Sequence, residues 1–67
     1  MKSISVTKAE ITVQFDRSEI DFLCNAINET REALEDWEFE TRTGVSRERA
    51  SSILDELRRI ADVLPED

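Results

Sequence analysis

The side chains that could recognise a ligand are concentrated between Trp37 and Ile53 of this 67-residue chain. This segment contains the one glycine of the chain, Gly44, and then Ser46, a residue type that often begins a helix. Two helices joined by a short turn with glycine are the outline of a helix-turn-helix DNA-binding motif. In that interpretation, four polar side chains of the second helix would face the major groove: Arg47, Arg49, Ser51 and Ser52. Arginine is the residue type best suited to guanine edges.

Both local residues and overall charge oppose DNA binding. Glu40 stands where the motif needs a small side chain between its helices, and Thr43 stands where it needs an aliphatic one. Three acidic residues lie on the exposed side of the second helix: Asp55, Glu56 and Asp62. Sixteen acidic residues against nine basic ones give a net charge of −7, which phosphate backbones repel. DNA binding is therefore an alternative hypothesis, and an ordinary helix-glycine-helix corner explains the same pattern.

An acidic run precedes the glycine and is interrupted by only one basic residue, Arg31. Such a run predicts a surface for a basic partner, although a solvated helix face explains most of the same carboxylates. Trp37 and Phe39 lie inside the run, about 200° apart on a helix, so both cannot face one core. We expect Trp37 to close the core; an exposed tryptophan would instead be an anchor for a partner. The partner-binding residues of this hypothesis are Glu32, Glu35, Asp36, Trp37, Glu38, Glu40 and Arg42.

The composition argues against catalysis and against a bound metal or other cofactor. The chain has no histidine, which is the commonest general base and the commonest metal ligand. The carboxylates do not have the spacing of a metal site, and the sequence contains no phosphate-binding loop. The single cysteine, Cys24, cannot form an internal disulfide and fits a reducing compartment. The sequence also lacks a signal-peptide pattern and a membrane span, so we expect a cytoplasmic protein. From the missing histidine and the lack of a catalytic pattern, we expect that it is not an enzyme.

The elements that must position these residues follow from the sequence pattern. Alternating apolar residues predict a β-hairpin over residues 3–15, with Ile4 opposite Val13 and Val6 opposite Ile11. We expect all four side chains to share one face.

The chain after the hairpin carries two helix-start signals. Asp16 and Glu19 have the spacing of a capping box, which predicts a helix over about residues 17–35. Residues 36–44 form either a short helix capped by Asp36 or a corner, and Gly44 ends this segment. Ser46 caps a last helix over about residues 46–64. The sequence therefore predicts one small α+β domain over residues 1–67, with an N-terminal antiparallel β-hairpin followed by two main helices.

Two segments, N-A-I-N-E at 25–29 and W-E-F-E-T-R-T-G-V-S-R-E-R-A at 37–50, resemble a group of small bacterial proteins. That group shares N-A-[IL]-N-E and E-F-x-T-R-x-G-x-[ST]-R-x-x-A segments and has no agreed activity. The resemblance implies a bacterial scaffold whose signature positions would be Asn25, Asn28, Glu29, Phe39, Thr41, Arg42 and Gly44. Backbone geometry accounts for the glycine, whereas the Thr41-Arg42 pair has no such explanation.

The leading hypothesis is a non-catalytic protein-binding module that presents an acidic face to a basic partner, as an immunity protein, an adaptor or a nucleic-acid mimic would. The alternatives are a helix-turn-helix regulator that uses the helix from Ser46 and a structural subunit of a larger assembly. A chain of this length buries only a thin core, and a two-stranded ribbon leaves both edges open. A homodimer could join two ribbons or pack the second apolar stripe of the long helix, which contains Phe22, Ala26 and Ala33.

Overall fold

The computed structural model describes residues 1–65, which form a β-hairpin followed by three helices. The elements are β1 (Lys2–Val6), β2 (Ile11–Gln14), α1 (Arg17–Ala33), α2 (Asp36–Thr43) and α3 (Arg47–Ala61). The fold is therefore α+β, as predicted, and the segment between the two long helices is itself a helix.

The hairpin forms, but its register differs from the prediction on one side of a bulge. Val6 pairs with Ile11 as expected, and the Thr7 amide donates to the Glu10 carbonyl at 2.8 Å to close the turn. Ser3, rather than Ile4, pairs with Val13, because the pairing shifts between Ser3 and Ser5. The predicted Ile4–Val13 pair is therefore wrong, and the extra residue lies at a bulge in β1.

Side-chain caps explain where α1 and α3 begin. The Asp16 carboxylate accepts from the Glu19 amide at 2.9 Å, and the Glu19 carboxylate accepts from the Asp16 amide at 2.9 Å. This confirms the predicted capping box. The hydrogen bond from the Glu19 amide, with that from the Ser18 hydroxyl, lowers the pKa of Asp16. The Asp16 amide and the N-terminal ammonium group lower the pKa of Glu19. Ser46 caps α3 as predicted, by accepting from the Arg49 amide at 3.1 Å.

The helix bounds at the corner between α1 and α3 differ from the predicted ones. Helix α1 ends at Ala33 rather than near residue 35, and α2 begins after Glu35. Glu35, not Asp36, is therefore the N-cap of α2, and its side chain makes no capping hydrogen bond. Gly44 ends α2 with φ +86°, a left-handed conformation that glycine adopts without steric cost. Helix α3 ends at Ala61, before the predicted limit near residue 64.

The core of the described residues lies where the three helices meet. Helix α1 packs against α3, and α2 rests on α3. Four apolar side chains of the helices are buried: Ile20 of α1, Phe39 of α2, and Ala50 and Leu54 of α3. Phe39 is 2% exposed and Trp37 is 82% exposed, so the expectation that Trp37 closes the core was wrong. Phe39 takes that position because it lies on the side of α2 that faces α3.

The hairpin projects from the helices and makes few contacts with them in the described part of the chain. The molecule is flat, with extents of 37 × 34 × 15 Å, and its radius of gyration is 13.5 Å. A compact domain of this length would have a radius of gyration of about 11 Å. The larger radius of gyration shows that the hairpin is not folded back onto the helical core of the same chain.

None of the helices within residues 1–65 is both long enough and apolar enough to span a membrane.

Candidate protein-binding surface on helix α2

The outward side of α2 is set by the burial of Phe39. Successive residues of an α-helix are 100° apart around its axis, so Trp37 and Thr41 lie nearly opposite Phe39, and Glu40 lies beside them. Trp37, Glu40 and Thr41 are all exposed, as this geometry requires. Because residues three and four apart are neighbours on a helix, the Trp37 ring lies next to Glu40 and Thr41. The centre of this side of α2 is therefore a large exposed aromatic ring.

Exposed carboxylates lie close to Trp37 in the sequence, on α1, on α2 and in the turn between them. We call the set consisting of Glu32, Glu35, Asp36, Trp37, Glu38, Glu40 and Arg42 the α2 surface; six of its members are exposed and Glu38 is half-buried. Within residues 1–65, Glu32, Glu35 and Glu40 make no ion pair. Their charges are therefore available to an incoming cation, since no internal partner neutralises them.

The remaining charges of the α2 surface are paired. The Arg42 Nε lies 2.9 Å from the carboxylate of Glu38, which is one helical turn earlier. Asp36 accepts from the Arg47 Nε at 2.6 Å, although its side chain is 89% exposed. The two pairs hold the carboxylates of Asp36 and Glu38, the residues on either side of Trp37 in the sequence.

Arg47, which the DNA-binding hypothesis placed in the major groove, is turned inward to the helix corner. Its guanidinium donates to the carbonyls of Arg31 and Leu34, the second at 2.6 Å, at the C-terminal end of α1. The same group lies 4.8 Å above the centre of the Phe39 ring, a cation–π distance. Carbonyls at a helix end lack intrahelical donors, and a positive charge there opposes the negative end of the helix dipole. Arg47 therefore ties α1, α2 and α3 together.

The other residues of the DNA-binding hypothesis do not form a basic surface. Arg49 and Ser52 are exposed, whereas Ser51 is half-buried and accepts from the Arg31 guanidinium at 3.0 Å. Arg31 also donates to the Asn28 side chain at 3.0 Å. Arg49 is the exposed basic side chain near the start of α3, Arg58 and Arg59 lie at the other end of the helix, and the exposed carboxylates of Glu48, Asp55 and Glu56 lie on the same helix. This arrangement does not favour binding to duplex DNA.

An apolar cleft lies on the other side of α2 from Trp37. Its volume is about 230 Å³, and it is lined by residues of α1, of the corner and of α3: Ala26, Ile27, Thr30, Phe39, Thr43, Val45, Ala50 and Ile53. The lining offers two hydroxyl groups and no ionisable side chain, so it has no group for acid–base chemistry. Across residues 1–65, no group of three or more cysteine or acidic side chains is arranged to hold a metal ion.

Thr41 is a signature position of the resemblance, but it is not among the predicted partner-binding residues. It lies four residues after Trp37 and on the same side of α2, so it adjoins the exposed ring. That spacing was available in the sequence, but it became informative only once Trp37 was known to be exposed.

Comparisons of this chain with protein-family models, with curated proteins and with solved structures found no match.

Proposed function

We propose that this chain is a non-catalytic protein-binding module that presents the α2 surface to a basic protein. The observation that carries the proposal is the exposure of Trp37, which is 82% exposed and lies in a segment rich in carboxylates. Tryptophan is strongly enriched among residues that dominate binding energy at interfaces.

The exposed ring supplies the affinity in this proposal. A tryptophan that becomes covered removes on the order of 150–200 Å² from water. At roughly 25 cal/mol per Å², that burial is worth about 4–5 kcal/mol before the costs of association. Trp37 takes no part in the buried core, so its burial by a partner would not disturb the fold.

The carboxylates supply selectivity and rate. Glu32, Glu35 and Glu40 are exposed and unpaired within the described residues, in a chain of net charge −7. A negative surface attracts basic partners over about 8–10 Å at physiological salt and repels nucleic acid and other acidic proteins. Binding is therefore expected to weaken as the salt concentration rises.

Three kinds of protein would use such a surface. An immunity-type protein covers the cationic site of a toxin, an adaptor joins a basic protein to another component, and a nucleic-acid mimic occupies a phosphate-binding site. Each needs a rigid fold, a negative field and a few anchors, and none needs a catalytic residue. The free thiol of Cys24 accords with action in a reducing compartment such as the cytoplasm.

The experiment that tests the proposal compares four forms of the chain as baits in lysate of the source cells, with nuclease present. The baits are the natural chain, Trp37→Ala, a charge-reversed form of the α2 surface (E32K/E35K/E40K) and a control with reversal on α3 and its C-cap (D55K/E56K/D62K). Both triple variants change the net charge by the same amount, and all six positions are exposed. Asp36 and Glu38 are left unchanged because their ion pairs support the corner.

The proposal predicts that a basic protein is retained by the natural chain and by the α3 control and is lost from the other two baits. Equal loss from both triple variants would show a nonspecific effect of net charge and would contradict the proposal. Retention by E32K/E35K/E40K and by Trp37→Ala would also contradict it.

A further inference from the structure

We propose that the hairpin pairs with the hairpin of a second copy of this chain, so that two β2 strands join into one four-stranded sheet. Three apolar side chains of the hairpin are more exposed than buried: Ile4 at 55%, Val6 at 68% and Ile11 at 65%. Val6 and Ile11 are paired across the strands and therefore lie on one face. This surface is separate from the α2 surface and does not depend on its function.

The surface area of the chain supports a missing partner. The chain exposes 5553 Å², whereas a compact monomer of this mass exposes roughly 4,300 Å². The excess, about 1,200 Å², exceeds the ~800 Å² that each partner buries in an interface of standard size. A two-stranded sheet alone is also only marginally stable, and a four-stranded sheet is within the usual range.

The distribution of charge selects a second copy as the occupant. Residues 1–15 contain two lysines and one glutamate, for a net charge of +1, while the rest of the chain carries −8. Two copies can therefore meet at their hairpins with little repulsion, whereas any contact through the helices would bring two acidic surfaces together. A basic partner is drawn to the helices for the same reason and has no electrostatic preference for the hairpin.

The pairing of the strands indicates which edge is used. The irregular pairing between Ser3 and Ser5 lies in β1, and a bulge of this kind twists an edge away from further pairing. In the hairpin, Thr7 is hydrogen-bonded to Glu10. The alternation of an antiparallel ladder then turns the backbone groups of Thr12 toward β1 and those of Ile11 and Val13 toward the open edge of β2. Within residues 1–65 the regular edge of β2 has no strand beside it, so it is free to pair with another chain.

Symmetry restricts the register of this pairing. If the two-fold axis passes through a residue of β2, the apolar side chains of both copies lie on one face of the four-stranded sheet. If it passes between two residues, the apolar side chains of the two copies lie on opposite faces. An axis at Thr12 pairs Ile11 of each copy with Val13 of the other and uses the outward backbone groups of both residues. The two Thr12 residues then form a pair without mutual hydrogen bonds, with Cα atoms about 4.5 Å apart.

The first test is the molar mass of the full chain at micromolar to submillimolar concentration, measured by sedimentation equilibrium. The proposal predicts a dimer for the natural chain and a monomer for V6K/I11K. It predicts a dimer for the control I60K/V63K, which replaces two exposed apolar residues of the C-terminal region and adds the same charge. Because the hairpin has few contacts with the helices, V6K/I11K should keep its helical circular dichroism. A monomeric natural chain, or a V6K/I11K variant that remains dimeric, would overturn the proposal.

The second test locates the axis with cysteine substitutions in a Cys24→Ser background, which removes the natural thiol. Opposed Cα atoms near 4.5 Å are within the range that a disulfide spans. Thr12→Cys should therefore form a disulfide-linked dimer under mild oxidation. Ser5→Cys is the control, since Ser5 pairs with Thr12 within the hairpin but lies on the β1 edge. Efficient cross-linking through Ser5→Cys and none through Thr12→Cys would contradict pairing through β2.

Discussion

Replacement of Arg47 tests whether this residue holds the helix corner or serves as a DNA contact. Arg47→Ala removes donors to the carbonyls of Arg31 and Leu34, the ion pair with Asp36 and the contact with the Phe39 ring. If the corner depends on these contacts, the variant should lose stability. If Arg47 were a DNA contact alone, the variant should fold as well as the natural chain.

The magnitude follows from those contacts. Hydrogen bonds to a charged group contribute about 1.5–3 kcal/mol each, and the lower value applies because the Arg47 side chain is 32% exposed. The cation–π contact adds about 0.5–1 kcal/mol, and the pair with the well-exposed Asp36 adds little. The sum is about 3–4 kcal/mol. A core of this size supplies only about 3–5 kcal/mol, so Arg47→Ala should be close to unfolding.

The assay is urea unfolding followed by circular dichroism, with Arg49→Ala as the matched control. Arg49 is exposed two residues further along the same helix, so its replacement should change the free energy of unfolding by less than about 0.5 kcal/mol. With a slope near 1 kcal/mol per molar urea, Arg47→Ala should lower the midpoint by roughly 3 M or prevent folding. Arg47→Lys should be intermediate, since lysine keeps the charge but cannot reach the same acceptors together. Equal, small effects at Arg47 and Arg49 would refute the structural role of Arg47.

Four further predictions follow from the described contacts. Trp37 is the one tryptophan of the chain and is exposed, so the fluorescence emission should be that of a solvated indole. Iodide should quench this emission less efficiently than neutral acrylamide, because the nearby carboxylates repel the anion. A blue-shifted emission, typical of a buried ring, would contradict the exposure. Trp37→Ala should change the free energy of unfolding by less than about 0.5 kcal/mol, whereas Phe39→Ala should cost about 3–5 kcal/mol in thermal or urea unfolding. Gly44→Ala should lower the free energy of unfolding by about 1–2 kcal/mol because φ is +86°, and Gly44→Asn should lower it by less. A steric clash does not contribute, since no atom lies within 4 Å of where a Cβ would be. Folding lowers the pKa values of Asp16 and Glu19, so the stability from the capping box is present above their ordinary values of 3.8 and 4.5 and is lost as the pH falls through the lowered values. In acid titrations, the difference in stability between the natural chain and Asp16→Ala should therefore shrink below pH 4.5. A difference that grows below that pH would refute this direction of the pH dependence.

The elements with local signals could be predicted from the sequence. The capping box at Asp16, the serine cap at Ser46 and the glycine at the end of α2 each involve residues within four positions of one another. The spacing of such residues is sufficient because their hydrogen bonds form within one turn of helix. The alternation of residues 3–15 similarly predicted two strands, since side-chain direction along a strand follows from position alone.

The features that depend on contacts between elements could not be predicted. Periodicity showed that Trp37 and Phe39 face opposite ways, but only the packing of α2 on α3 decides which of them is buried. The role of Arg47 also depends on where α1 ends, because its acceptors are carbonyls 13 and 16 residues earlier. The bulge in β1 has no signal in the alternating pattern, and it moved Ile4 away from its expected partner.

The measurement that tests the central proposal most directly is the affinity of the retained basic partner for the natural chain and for Trp37→Ala, by isothermal titration calorimetry at two salt concentrations. The proposal predicts that Trp37→Ala weakens binding by at least 2 kcal/mol, about 30-fold, without loss of stability. It also predicts that higher salt weakens binding of the natural chain. Equal affinities for the two forms, independent of salt, would contradict the assignment of the α2 surface as the binding site.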